Sequence, residues 1–489
     1  MDILLLIPVV LPILFGFALL IPKLDVRITR ISLTVMGLAA TALLLIPMIT
    51  TGDLTLQLFT LSDNLPIFLH ADTMGLIFAC VMAFVWTVAG CYSFDYMAHE
   101  GKEKRFYALY LITLGLLMGL CFAGSIITFY MFFEGMTLLT MPLVTHSGKK
   151  DAVAAGLKYL IYSILGASLV LLGVFVLSPY VTSFSFADGG VLDAALFAEH
   201  RDLVLAFAFL MLVGFSAKAG LFPLHGWLPT AHPAAPSPAS AVLSGVITKA
   251  GVLGVIRLAY QFLGAANIRG TWVHVAFMSL TLLTVLMGSL LALKEDHLKK
   301  RLAWSSVSQV SYVLFGISTL HPLGLVGALL HVVCHSLVKD TLFMSAGAII
   351  LKTGKTSVKD LEGIGRKMPV TLGCFTVASL GLIGIPPCLG FFSKWQLAQG
   401  SLAATGVPAF MTWLGPVILL ISALLTAGYL MPVIIRGYLT GHTEGKVERS
   451  DVSWRMLIPM LVLAVLSVLL GVFPTWLTDL FTGLASALA

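Results

Sequence analysis

The sequence predicts an all-α polytopic membrane protein of about fourteen transmembrane helices, built as two inverted five-helix repeats that each contain a broken helix. Three observations lead there: apolar runs from end to end, basic residues that alternate between loops, and two Gly/Pro interruptions that each sit beside a lysine. Of 489 residues, 58% are hydrophobic and 11% charged, where a soluble domain carries about a quarter charged. Runs such as 3–21, 31–49 and 456–473 are long enough to cross a hydrocarbon layer roughly 30 Å thick as helices. The first run starts at Asp2 with no basic segment before it, and no small-residue cleavage site follows. It therefore reads as a span and not as a removed signal.

The fourteen expected spans are 2–21, 30–50, 72–97, 105–123, 125–146, 152–180, 202–221, 236–262, 271–293, 301–319, 322–351, 369–394, 406–436 and 454–475. Loops after odd-numbered spans hold 21 of the 29 lysines and arginines, from Lys23 and Arg27 through Lys149 and Lys300 to Lys446 and Arg455. Loops after even-numbered spans hold only Arg201 and Arg269. Odd loops are therefore expected in the cytoplasm and both termini outside. A missed or invented helix would scramble this alternation. Basic cytoplasmic loops also account for the net charge of +6 without nucleic acid. The six cysteines are scattered and form no CxxC or Cys/His pattern, so neither a zinc nor an iron–sulfur site is expected.

Six basic residues fall inside spans. Lys158 and Arg257 lie near helix ends, where they can snorkel to the interface. Lys218, Lys249, Lys339 and Lys394 are deeper, as are the carboxylates Glu134 and Asp340. A charge at the bilayer centre costs at least about 2.5–3.5 kcal/mol, so such groups face a partner, water or the bundle interior. Together they read as a chain of protonatable groups. In span 11, His331, His335 and Lys339 recur at i, i+4, i+8 on one helical face, about 6 Å apart along the axis, with histidine titrating near neutrality. A metal site would want an HExxH glutamate or a third ligand, and neither is present. Glu134 in FFEGMTLL is the natural counter-charge for Lys218. Pairing and separating them would shift both proton affinities and push a proton toward Lys249.

Spans 7 (FSAKAGLFPLHGWLP) and 12 (GLIGIPPCLGFFSKW) are interrupted by Gly and Pro. Such breaks expose carbonyls at membrane depth and point to inverted repeats. The expected organisation is 1–100 for helices 1–3, 104–262 for the first repeat (helices 4–8), 271–437 for the second (helices 9–13) and 452–489 for helix 14.

These stretches, with AAGLKYLIYSILGA, PLHGWLPTAHPAAPSPASA, KEDHLKKRLAWSSVSQVSYVLFG and HVVCHSLVKDTLFMSAGAI, resemble the antiporter-like subunits of respiratory complex I, of Mrp-type Na⁺/H⁺ antiporters and of membrane-bound hydrogenases. The resemblance covers roughly spans 3–13. It implies a half-channel in each repeat, with Glu134 paired to Lys218, Lys249 as the span-8 relay, His331, His335 and Lys339 as the span-11 relay, and Lys394 at the span-12 break facing the outer half-channel. His232 lies in the family's loop between spans 7 and 8, with capping and relay roles both open. Asp340 stands where members of the family usually carry a small or apolar residue. Facing Lys339 it would hold that lysine charged, but neighbouring residues point about 100° apart, so it can instead face another helix.

The leading expectation is a proton-translocating subunit of a redox-driven complex in a prokaryotic cytoplasmic membrane. The alternatives are an Mrp-type cation/proton antiporter subunit and a non-conducting scaffold. No catalytic centre or nucleotide, flavin or cluster motif occurs in the chain. Redox cofactors are expected in partner subunits, which would comprise other membrane subunits and a peripheral redox arm. Protons are favoured over Na⁺, which wants clustered carboxylates. On this reading Glu134→Gln reduces proton transport by the assembled complex, and unchanged transport in vesicles would refute the pairing.

Overall fold

The computed structural model describes residues 2–22, 26–52, 54–62, 65–440 and 449–488; the basic-loop residues Lys23 and Lys446 lie outside them. The chain is a mostly helical, multi-pass membrane fold. Its helices are α1 Ile7–Leu19, α2 Arg27–Thr51, α3 Thr73–Glu100, α4 Glu103–Cys121, α5 Ile126–Val144, α6 Lys150–Leu177, α7 Arg201–Ala219, α8 Leu228–Ala234, α9 Ser237–Phe262, α10 Trp272–Lys294, α11 Leu298–Ser318, α12 Pro322–Thr353, α13 Pro369–Ile383, α14 Leu389–Leu402, α15 Ala409–Leu439, α16 Trp454–Val472 and α17 Thr475–Leu488.

Among the described residues, eleven helices are long and apolar enough to span a membrane. Three expected spans fall short of that test for different reasons. Helix α1 has 13 residues, α11 carries Lys299, Lys300 and Arg301 and a serine-rich middle, and span 12 is split into α13 and α14. Burial separates centre from rim: the apolar window of α9 is buried throughout and that of α12 to 89%, against 33% for α2. Helices α9 and α12 lie at the centre of the bundle and α2 at its rim.

The all-α expectation misses one element. β1 Leu54–Thr60 and β2 Pro66–Ala71 form an antiparallel hairpin. In β2 every second residue, Ile67, Leu69 and Ala71, is buried, the period of a one-faced strand. Backbone bonds from His70 N to Phe122 O (2.6 Å) and from Gly124 N to Phe68 O (3.2 Å) stitch the hairpin to the turn between α4 and α5. Helix α17 is also unanticipated. Leu477, Phe481, Ala485 and Leu488 are buried and Trp476 and Leu480 face outward, a short amphipathic helix packed on α12.

The two ends of the bundle are held differently. At the basic-loop end, Arg27 Nε and Arg30 Nη2 reach Glu103 at 3.3 and 3.4 Å, and Lys300 Nζ reaches Glu295 at 2.8 Å. The Ser357 hydroxyl donates to Asp296 at 2.7 Å, tying the loop after α12 to the start of α11. That bond holds the Asp296 carboxyl below its ordinary range. At the hairpin end, Arg257 does not snorkel. It is buried in a two-pronged ion pair with Asp72, whose second prong measures 2.6 Å, and donates to Gln261 at 2.6 Å. Gln261 in turn donates to Asp188 (3.1 Å) in the loop before α7. Asp72 also caps α3 by accepting from Gly75 N at 2.9 Å, so one carboxylate joins hairpin, α3 and α9.

Removing one partner of such a pair leaves a buried charge unpaired. Asp72→Ala is expected to cost about 3 kcal/mol, read as a lowered melting temperature in detergent. Adding Arg257→Leu should restore part of the loss.

Candidate functional site

The two broken helices set the geometry of the membrane interior. Helix α7 ends at Gly220 and α13 at Gly384, both with positive φ (86° and 91°), a left-handed stop that glycine adopts without strain. The chain then crosses Pro223 or Pro386–Pro387 and resumes as α8 or α14. Each break leaves helix-terminal carbonyls without intrahelical partners. Trp227 Nε1 takes the Ala217 carbonyl at 2.9 Å. Lys394 Nζ takes those of Leu382 and Ile383 at 2.6 and 2.8 Å.

Lys218, fully buried at the end of α7, donates to three hydroxyls: Thr137 Oγ1 at 2.8 Å, Tyr159 Oη at 2.6 Å and Ser163 Oγ at 3.1 Å. Tyr159 Oη also lies 2.5 Å from Thr140 Oγ1. Glu134 is half-buried, its Oε1 has no hydrogen-bond partner among the described residues, and it makes no ion-pair contact with Lys218. The expected direct pair is replaced by a hydroxyl cage from α5 and α6, which solvates the ammonium without a counter-ion.

Lys249 sits in α9 just after a π-helical stretch, Leu243–Ile247. Such bulges free carbonyls inside a helix, and Lys249 Nζ uses one, Ser244 O, at 2.7 Å. The same nitrogen lies 2.5 Å from His335 Nδ1 on α12. His335 Nε2 has no partner among the described residues. One turn back, His331 lies between Ser393 Oγ (2.9 Å) and Gln309 Oε1 (3.2 Å), its ring centroid 6.2 Å from that of His335. Tyr312 stacks on His331 at 5.4 Å, and Lys394 Nζ lies 5.2 Å from the centre of the Tyr312 ring.

Lys249 and His335 are thus in direct contact, His331 follows one turn away on α12, and the Tyr312 ring lies between His331 and Lys394. Lys339 is set apart. It donates to Leu302 O at 2.9 Å and to Ser305 Oγ on α11. Asp340 is turned toward α9, not toward Lys339, and neither of its oxygens has a partner among the described residues.

His232 on α8 is buried between the rings of Phe343 (4.7 Å) and Trp227 (6.5 Å). Its carbonyl accepts from Ser240 at 2.7 Å, and both its ring nitrogens lack partners among the described residues. Lys158 is half-buried with Nζ 6.0 Å from the Tyr162 ring centre, beside Gly226 at the first break. Residues unremarked in the sequence also take part. The buried Lys299 donates to Ala235 O at 2.6 Å, at the edge of a cavity of about 280 Å³ lined also by Glu100, Asp151 and His297 at the basic-loop end. The hydroxyl set Thr137, Thr140, Tyr159 and Ser163 carried a faint signal, since each pair recurs at i, i+3 or i, i+4 within spans 5 and 6. Among the described residues no three His, Cys, Asp or Glu side chains are grouped as metal ligands.

Residues 123–426 match the family described as NADH:quinone oxidoreductase/Mrp antiporter, TM. The chain is 37% identical over 410 residues to NADH-quinone oxidoreductase subunit N of Desulforudis audaxviator, covering 80% of this chain and 79% of that protein. It is 30% identical over 440 residues to hydrogenase-4 component B of Escherichia coli, covering 86% of this chain and 64% of the other. In three dimensions it superposes on a chain of the Mrp complex from Dietzia sp. DQ12-45-1b with a TM-score of 0.84 and 22% identity, covering 99% of this chain and 97% of that one.

The cage around Lys218 makes its own prediction. Tyr159→Phe removes one hydrogen bond to a charged group, worth about 1.5–3 kcal/mol. It should slow proton transport by about tenfold with the complex still assembled, checked by flux in proteoliposomes.

Proposed function

Because the chain belongs to the NADH:quinone oxidoreductase/Mrp antiporter transmembrane family, we propose that it moves protons through its buried lysines and histidines as a membrane subunit of a larger redox-driven complex. The observation that carries this reading is the 2.5 Å contact between Lys249 Nζ and His335 Nδ1. An amine and an imidazole in direct contact can pass a proton without side-chain rearrangement, and here they belong to different repeats. From Lys249 the proton goes to His335, then to His331, and on to Lys394 at the second break.

The first half of the path runs through Glu134 and Lys218. Glu134 supplies the negative charge, and the hydroxyl cage holds Lys218 in either protonation state, since each hydroxyl can donate or accept. His232, with its unpartnered nitrogens, suits a relay better than a cap. It would take protons from the cavity beside Lys299. Lys339 answers to Ser305 and acts on the path through its charge. Lys158, beside the first break and near the Tyr162 ring, contributes through its charge.

The chain is proposed to cross the membrane fourteen times. Eleven crossings are the long helices, and α1, α11 and the α13–α14 pair supply the others. Both termini then lie outside and the basic loops in the cytoplasm. The inverted repeats 104–262 and 271–437 are supported by the matched breaks, each with a positive-φ glycine and a lysine against it. Residues 1–100 and 452–489 flank them. The sequence carries no cluster, flavin or nucleotide motif, so electron transfer is assigned to partner subunits in a peripheral arm. The 37% and 30% identities to an oxidoreductase subunit and a hydrogenase component favour that setting over an Mrp-type antiporter. The interior chemistry points the same way, for lysine, histidine and hydroxyl groups pass protons, whereas Na⁺ prefers clustered oxygen ligands.

Lys218→Ala combined with Lys339→Ala is expected to abolish proton transport by the purified complex, followed with a pH-sensitive dye in proteoliposomes, while subunit composition is retained. Normal transport by the double variant would leave the chain as a scaffold.

A further inference from the structure

Asp340 has no part in the contacts described so far. It is fully buried, and neither carboxyl oxygen has a hydrogen-bond partner among the described residues. Its carboxyl rests on Gly245 in the π-helical stretch of α9 so closely that a Cβ there would lie 1.7 Å from Oδ1. Only a glycine accommodates the carboxyl at that position. The carbonyls around it are engaged: Ser336 Oγ donates to Gly245 O at 2.7 Å, and Lys249 Nζ donates to Ser244 O at 2.7 Å.

The ionisable groups around Asp340 are few. On α9 it faces the turn that holds Lys249: the Lys249 ammonium is bound to Ser244 O, the residue before the Gly245 on which the Asp340 carboxyl rests. From α4 it faces Tyr110, whose hydroxyl is committed to Trp86 O at 2.7 Å. On its own helix, Lys339 is turned to α11 and His335 to Lys249. A buried carboxyl without donors is far less costly neutral than ionised, so the observed arrangement suits a protonated Asp340.

We propose that Asp340 is a protonatable partner of Lys249 that opens and closes the lysine's link to His335. This rests on the proton path above and assigns its control point. With Asp340 protonated, the carboxyl sits neutral against Gly245 and the Lys249 amine stays on His335. With Asp340 ionised, the carboxylate draws the Lys249 ammonium off His335 along its flexible four-carbon stem, and the link opens. Closing it again takes one proton transfer. An N–H bond of the ammonium breaks and an O–H bond forms on Asp340, leaving a neutral amine whose lone pair accepts the next proton. In the forward step an ammonium N–H breaks as an N–H forms at His335 Nδ1, and the imidazolium Nε2–H then breaks as its proton passes to the ring of His331, one turn away on α12. Asp340 is a positioning residue here, acting through Lys249.

The test uses the intact complex in proteoliposomes, with proton flux and infrared difference spectra on a pH change. Asp340→Asn keeps the shape and removes the titratable group. With nothing to draw the ammonium off His335, the link stays closed, so flux should rise by up to roughly tenfold, the size of a typical coupling between linked sites, and a carboxylic acid C=O band should be lost. Gly245→Ala should slow flux and shift the same band, and should add little to Asp340→Asn, as expected for coupled neighbours. Lys218→Ala serves as the control for the path. Normal flux or an unchanged band in Asp340→Asn, with flux lost in Lys218→Ala, overturns the Asp340 proposal alone. Normal flux in both variants overturns the proton path, and the proposal with it.

Discussion

Everything in the interior of this bundle answers to one constraint: an ammonium group inside a membrane must be solvated by the protein. Each buried lysine meets it differently. Lys218 has three hydroxyls, Lys249 a π-bulge carbonyl and an imidazole, Lys339 a carbonyl and a serine, and Lys394 the open end of a half-helix. None of these sets is a tight ion pair. A carboxylate in contact would hold its lysine charged, whereas hydroxyls and carbonyls solvate the ammonium and still allow a proton to leave. The irregular backbone follows from the same need, since broken helices and π stretches bring carbonyls into a region where a regular helix offers none.

The ends of the bundle do the opposite work. At the hairpin end, Asp72, Arg257, Gln261 and Asp188 form a continuous chain of charged and amide groups. At the basic-loop end, Asp296 and Ser357 tie two loops together. These fixed contacts hold the helices in register around the interior groups to which proton exchange is assigned above. The outward leucines of α2 and α15 leave a broad apolar surface for lipid and neighbouring subunits, in keeping with relatives that work within multisubunit complexes.

The deep charges were legible early because a lysine in an apolar run is costly wherever it points. The breaks at Gly220 and Gly384 were legible because Gly and Pro act locally. The hydroxyl cage was not, for serine and threonine are common in membrane helices and bond their own carbonyls, as Thr137 also does to Phe133. Glu134 and Lys218 were matched as opposite charges, yet closer hydroxyls took the lysine. The β-hairpin was missed because its short alternating run sits between long apolar spans, where it reads as a loop.

By itself the sequence determined that this chain lives in a membrane, which groups are charged there, and where two helices must break, because burial cost and backbone chemistry are local properties of each residue. The tertiary structure decided which partner each charge meets. That Lys249 reaches His335, that Asp340 turns from Lys339 to Gly245, and that Arg257 binds Asp72 across 185 positions all depend on how helices far apart in the chain rotate against one another. No spacing along one helix encodes that rotation.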